Sequence, residues 1–128
     1  MDALTIGNRL VELCEANESR KAIEELYADT VNVIEAMPMP GKPNGERSKE
    51  QILKDSDEFF EMMEIHGGSV DGPFPYADGF IVHMTMDCTP KTGPMAGNRM
   101  DMREACVYTV ADGKITESQF CYHMPGFD

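Results

Sequence analysis

The hydrophobic pattern changes period part-way along the chain, from the three-to-four spacing of helices to the alternation of strands. Apolar residues at Leu4, Leu10, Val11, Leu13 and Cys14 read as a helix weakened at Gly7. Asn17 and Ser19 offer a cap, and Ala22, Ile23, Leu26 and Tyr27 form the stripe of a second helix. A β-branched run predicts a strand over 30–36, closed by a loop with Pro38, Pro40, Gly41, Pro43 and Gly45. Ser48 and Gln51 form a capping box. It opens the strongest helix, predicted over 49–65, with Ile52, Ser56, Phe59, Met63 and His66 on one face and Gly67-Gly68 as its stop. Strand signals follow at 69–76, an edge because of Pro73 and Pro75, then at Phe80–Thr89, Met100–Val110 and Lys114–His123. Asp78-Gly79 and Asp112-Gly113 are hairpin turns. The connection with Pro90, Gly93, Pro94 and Gly97 is of a kind that can overhang a pocket. The order ααβαββββ predicts an α+β fold, with helices closing one face of a curved antiparallel (mixed) sheet around an apolar pocket. The other face carries Ile81, Ala105, Val107 and Thr109 with His83 and Arg103, and a homodimer packed through it is expected.

At 128 residues the chain fits a single domain, 1–128. A net charge of −12 repels nucleic-acid phosphates and anionic lipid headgroups, so neither is expected as a partner. Every apolar run is too short for a membrane span, and Met1-Asp2-Ala3-Leu4 lacks the basic start of a signal peptide. A cytoplasmic location is expected. Cys14, Cys88, Cys106 and Cys121 form no C-x-x-C pair and no zinc spacing, so reduced thiols and no metal are expected. The chain has no nucleotide fingerprint and no G-x-S-x-G elbow, so no cofactor is expected.

Two segments carry a resemblance. Glu25-Leu26-Tyr27-Ala28-Asp29 precedes a β-branched strand, and Tyr108-Thr109-Val110-Ala111-Asp112-Gly113-Lys114-Ile115-Thr116-Glu117 closes a hairpin. Together, at this separation, they resemble the SnoaL-like branch of the nuclear transport factor 2-like superfamily. The resemblance implies a cone: a bent sheet wrapped round the long helix with a pocket at the wide end. It implies a small apolar ligand. Ketosteroid isomerases, polyketide cyclases, dehydratases and non-catalytic binding proteins share this fold, so fold alone does not fix activity.

The resemblance also implies site residues. Glu35 lies eight residues after Tyr27, where ketosteroid isomerases carry their aspartate base. At the mouth of an apolar cone its pKa would rise toward neutrality, which suits proton transfer beside a carbonyl. The isomerases' two oxyanion donors align with Val11 and Cys106, so that donor pair is missing and Tyr108 or Tyr122 would supply a hydroxyl. Glu104 either shares a proton with Glu35 or pairs with Arg99 or Arg103 at the rim. His66 either shuttles protons or complements the dipole of the long helix. Ligand-lining positions are Phe59, Met63, His66, Phe80, Met84, Met86, Cys106 and Phe120. Eleven methionines include the pairs Met37/Met39, Met84/Met86 and Met100/Met102. They make either a plastic pocket or a Met-rich core. Copper(I), which thioethers select, is set aside because the pairs fall on core strands. The reading is a cofactor-independent isomerase, cyclase or lyase; the alternative is a non-catalytic ligand-binding or dimerising domain.

Overall fold

A computed structural model describes residues 2–123. Helices α1 (Ala3–Glu15) and α2 (Ser19–Leu26) lead into strand β1 (Tyr27–Glu35). A short strand β2 (Gly45–Ser48) precedes helix α3 (Lys49–Met62). Strands β3 (Met63–Tyr76), β4 (Gly79–Pro90), β5 (Met100–Ala111) and β6 (Lys114–Tyr122) complete the fold. The six strands form one open mixed sheet in the order β2-β1-β6-β5-β4-β3. The β1–β6 pair is parallel and the others are antiparallel. Among the described residues no helix is long and apolar enough to cross a membrane.

The α+β order follows the sequence signals, with instructive departures. Strand β2 falls in the predicted Pro/Gly loop, where no alternation marks it; it exists because Glu46 and Arg47 pair with Asn32 and Val31. Helix α3 starts as the cap predicts, with Ser48 Oγ accepting from the Gln51 amide at 3.1 Å. Gln51 does not complete the box, because its amide donates to Asp55 at 2.8 Å instead. The helix ends at Met62, before Gly67-Gly68, because Met63, Glu64 and Ile65 pair with Pro90, Thr89 and Cys88. The glycines serve that strand: a Cβ on Gly68 would collide with the Thr85 carbonyl. Asn17 caps no second helix. It takes the left-handed conformation, φ 59°, and its amide donates to the Cys14 carbonyl, closing α1.

Helix α1 is the one embedded in the core. It buries Ile6, Gly7, Leu10, Val11 and Leu13, whereas α3 buries Ile52 alone. This differs from a sheet wrapped chiefly round the long helix. The weak point at Gly7 has a packing reason, since a Cβ there would meet Pro73 at 2.8 Å and Phe80 at 3.1 Å. Its absence lets α1 lie close on β3 and β4. Beneath it Phe80, Val82, Cys106 and Ile115 are fully buried beside Val31 and Leu26. Full burial of one such side chain contributes about 1.5–3 kcal/mol.

Candidate active site

Strand parity and register assemble the site. Residues two apart on a strand share a face, so Glu35 follows the buried Val31 and Val33 along β1. Across the sheet Glu35 lies opposite Phe120, and Tyr122 lies opposite Glu104. The Tyr122 hydroxyl donates to Glu35 Oε2 at 3.1 Å and lies 3.4 Å from the Met37 carbonyl. The backbone of Glu35 is clamped by one side chain. Its amide donates to Asn44 Oδ1 at 2.9 Å, and Asn44 Nδ2 donates to its carbonyl at 3.2 Å. Arg47 braces the same loop by donating to the carbonyls of Lys42 and Pro43 and to Asp55.

Burial raises the Glu35 carboxyl, opposed by the Tyr122 hydrogen bond and the Arg47 charge. Burial also raises Glu104; the Cys106 thiol opposes this, and the charge of Glu35 adds to it. The charge of Glu35 therefore keeps Glu104 protonated longer. The Cys106 thiol donates to Glu104 Oε1 at 3.5 Å. Burial and the nearby carboxylate Glu35 push the Tyr122 hydroxyl up to about 12, so it remains a donor at neutral pH. Arg99 and Arg103 do not hold Glu104. Arg99 binds Asp87 at 2.6 and 2.8 Å, and Arg103 binds Asp101 at 3.0 and 3.2 Å.

Glu104 and Tyr122 both border a cavity of about 410 Å³ at the end of β5, with Met95, Met100, Met102 and His123. The other anticipated positions are distributed differently. Tyr108 is buried, its ring 5.1 Å from Phe80 and 6.4 Å from Phe120. It is sealed in the core and does not border the cavity, so it is a packing group and not a cavity donor. Phe80 and Cys106 have no exposed surface and fill the space where a pocket between helices and sheet was expected. Met84 and Phe120 are half-buried against that core. Met86 is half-buried opposite Met102. Met63 is buried at the α3–β3 junction, and Phe59 is half-buried against Phe60. His66 is exposed on β3, 2.8 Å from the Thr89 hydroxyl. It is not a helix-terminal residue facing the pocket, because α3 ends before it. Asn44, Arg47 and Met95 were not singled out by sequence reasoning. The parity that runs from Glu104 back through Met102 to Met100 is the signal that marks the cavity wall.

The sequence model of the SnoaL-like domain matches residues 1–122. The chain belongs to the SnoaL-like family. A crystal structure from Mesorhizobium loti, of a protein named a SnoaL-like polyketide cyclase, is 36% identical and superposes with a TM-score of 0.85. The match covers 95% of this chain and 100% of that one. A nuclear transport factor 2-like protein from Burkholderia thailandensis superposes at 0.79 with 17% identity, over 96% of this chain and 92% of its own. A protein of ketosteroid isomerase-like fold from Catenulispora acidiphila, solved with trimethylamine, superposes at 0.67 with 14% identity, over 93% and 85%. The last two establish the SnoaL-like chain's fold alone. No curated protein matches the sequence.

Proposed function

We propose that this SnoaL-like protein binds a small apolar carbonyl compound at the Glu104–Tyr122 cavity and isomerises, cyclises or cleaves it without a cofactor. The observation that carries the reading is the Tyr122 hydroxyl on Glu35, with a second desolvated carboxyl, Glu104, in electrostatic contact. Two carboxyls whose surroundings separate their protonation can divide base and acid roles. Glu35, joined to the cavity wall through the Tyr122 hydroxyl, takes a proton from the carbon beside the carbonyl. Protonated Glu104, or Tyr122 turned from Glu35, donates a hydrogen bond to the enolate oxygen. Glu35 then returns the proton to another carbon. The M. loti relative's name, polyketide cyclase, is consistent with an enolisable substrate.

The alternative is a ligand-binding module without turnover, and the trimethylamine bound to the C. acidiphila protein favours keeping it. Glu35→Gln separates the two. Exchange of solvent deuterium into a panel of enolisable ketones should vanish in the variant, while ligand-induced thermal stabilisation persists. Stabilisation by ligands with no exchange in either protein selects the binding module.

The reading includes a homodimer. Phe74 pairs with Ile81, and Ile81 with Val107, on the face away from the helices. Phe74 and Tyr76 are exposed there, 49% and 57%. Phe74→Glu should convert a dimer to a monomer in sedimentation; a wild-type protein that sediments as a monomer removes this part. Residues 1–128 act as a single domain in this reading, and the four thiols suit a reducing cytoplasm.

A further inference from the structure

The sulfur side chains at the far end of the sheet form a cluster that begins at the cavity wall and runs beneath it to Cys88. Met86 lies opposite Met102, and Cys88 lies opposite Met100, across β4 and β5. By parity all four project from the same face as Glu104. Directly paired residues hold their Cβ atoms about 4.5–5.5 Å apart, so the four side chains start close together. Cys88 Sγ lies 3.6 Å from Met102 Sδ. Cys88 is fully buried, whereas Met100 and Met102 line the cavity with Met95 and give the cluster an entrance.

We propose that Cys88, Met100 and Met102 bind one soft monovalent cation, Cu(I) or its analogue Ag(I), beneath the cavity wall. Thiolate and thioether donors select such ions. Among the described residues no three His, Cys, Asp or Glu side chains converge on a common point, so zinc and harder ions have no donor set here. At a metal–sulfur distance of about 2.3 Å, a trigonal site holds its sulfurs about 4 Å apart. The observed 3.6 Å needs only a small parting, which the flexible methionine side chain allows. The Cys88 thiol transfers its proton to solvent as the Cu–S bond forms, and the thiolate neutralises the cation in its buried setting. The site shares Met100 and Met102 with the cavity of the proton-transfer reading, but Cys88, which supplies the thiolate, lies outside that lining.

The test is anaerobic Cu(I) titration of the full chain against a chromophoric chelator. A Cys121→Ser background removes the one exposed thiol. The expected result is one retained equivalent with a sulfur-only shell in X-ray absorption. Cys88→Ser should abolish retention. The volume-conserving M100L/M102L double variant, which keeps the fold if Cys88→Ser does not, should lower affinity at least about tenfold at an unchanged melting temperature. Loss of all copper to the chelator overturns the proposal. So does equal retention by the double variant, which would mean an adventitious ion only.

Discussion

The two halves of strand β5 share one face and have opposite fates. Toward its C-terminal end, Tyr108 and Cys106 are sealed among Phe80, Val82 and the residues of α1. The Cys106 thiol reaches out of that core to donate to Glu104 Oε1. Toward its N-terminal end, Glu104 and Met102 are half-buried and border open space. The same alternation therefore yields a packed core where a helix covers it and an open cavity wall where none does. Cover, not strand pattern, decides which carboxyls and hydroxyls are available for chemistry.

Crossed substitutions would sharpen that contrast. Glu35→Gln should cut turnover by about 10²–10⁴-fold, the usual range for a general base, with little change in the urea midpoint. Phe80→Ala should do the reverse. It should cost about 3–5 kcal/mol of stability in urea unfolding while Glu35 keeps its raised pKa in the molecules that remain folded. If Phe80→Ala left stability unchanged, the sealed half would not be the core. The two tyrosines divide the same way on a smaller scale. Tyr108→Phe removes a hydroxyl buried in the core and should cost about 1–3 kcal/mol. Tyr122→Phe removes the hydrogen bond that lowers the Glu35 pKa, so NMR should find that pKa higher still and stability little altered.

The smallest effect is in pH dependence. Glu35 and Glu104 both titrate above their ordinary value of 4.5, so the folded state binds more protons than the unfolded state. Their contribution to stability is greatest below pH 4.5 and is lost as pH rises through the raised values. Half-buried Glu25 and Asp87 are lowered by Arg9 and Arg99, and their contributions are lost as pH falls. Glu104→Gln should therefore flatten the decline of unfolding free energy above pH 4.5. An unchanged slope would show that Glu104 is solvated in the folded protein.

Most of the fold was legible because the signals were local. The Ser48 cap, the Asp112-Gly113 turn and the alternation of β4 to β6 act over a few residues, while the turn expected at Asp78-Gly79 falls one residue earlier, at Ala77-Asp78, because Gly79 pairs with Tyr76 as the first residue of β4. The errors arose where distant partners overrode local preference. Gly67-Gly68 reads as a helix stop, but the pairing of Met63 with Pro90 ends α3 earlier. Strand β2 exists only through its pairing with β1. For the site, parity placed Glu104, Cys106 and Tyr108 on one face correctly. It could not tell which of them α1 seals off, and so Tyr108 and Tyr122 read alike. The Asn44 clamp on Glu35 depends on a loop folding back, which periodicity does not record.

The most direct test is a side-chain carbon NMR titration of Glu35 and Glu104 in the wild type and in Glu35→Gln. The account predicts that both carboxyls titrate above the ordinary range and that the Glu104 value falls once Glu35 is neutralised. A Glu35 value at the model-peptide level of about 4.3, with Glu104 indifferent to the substitution, would contradict it.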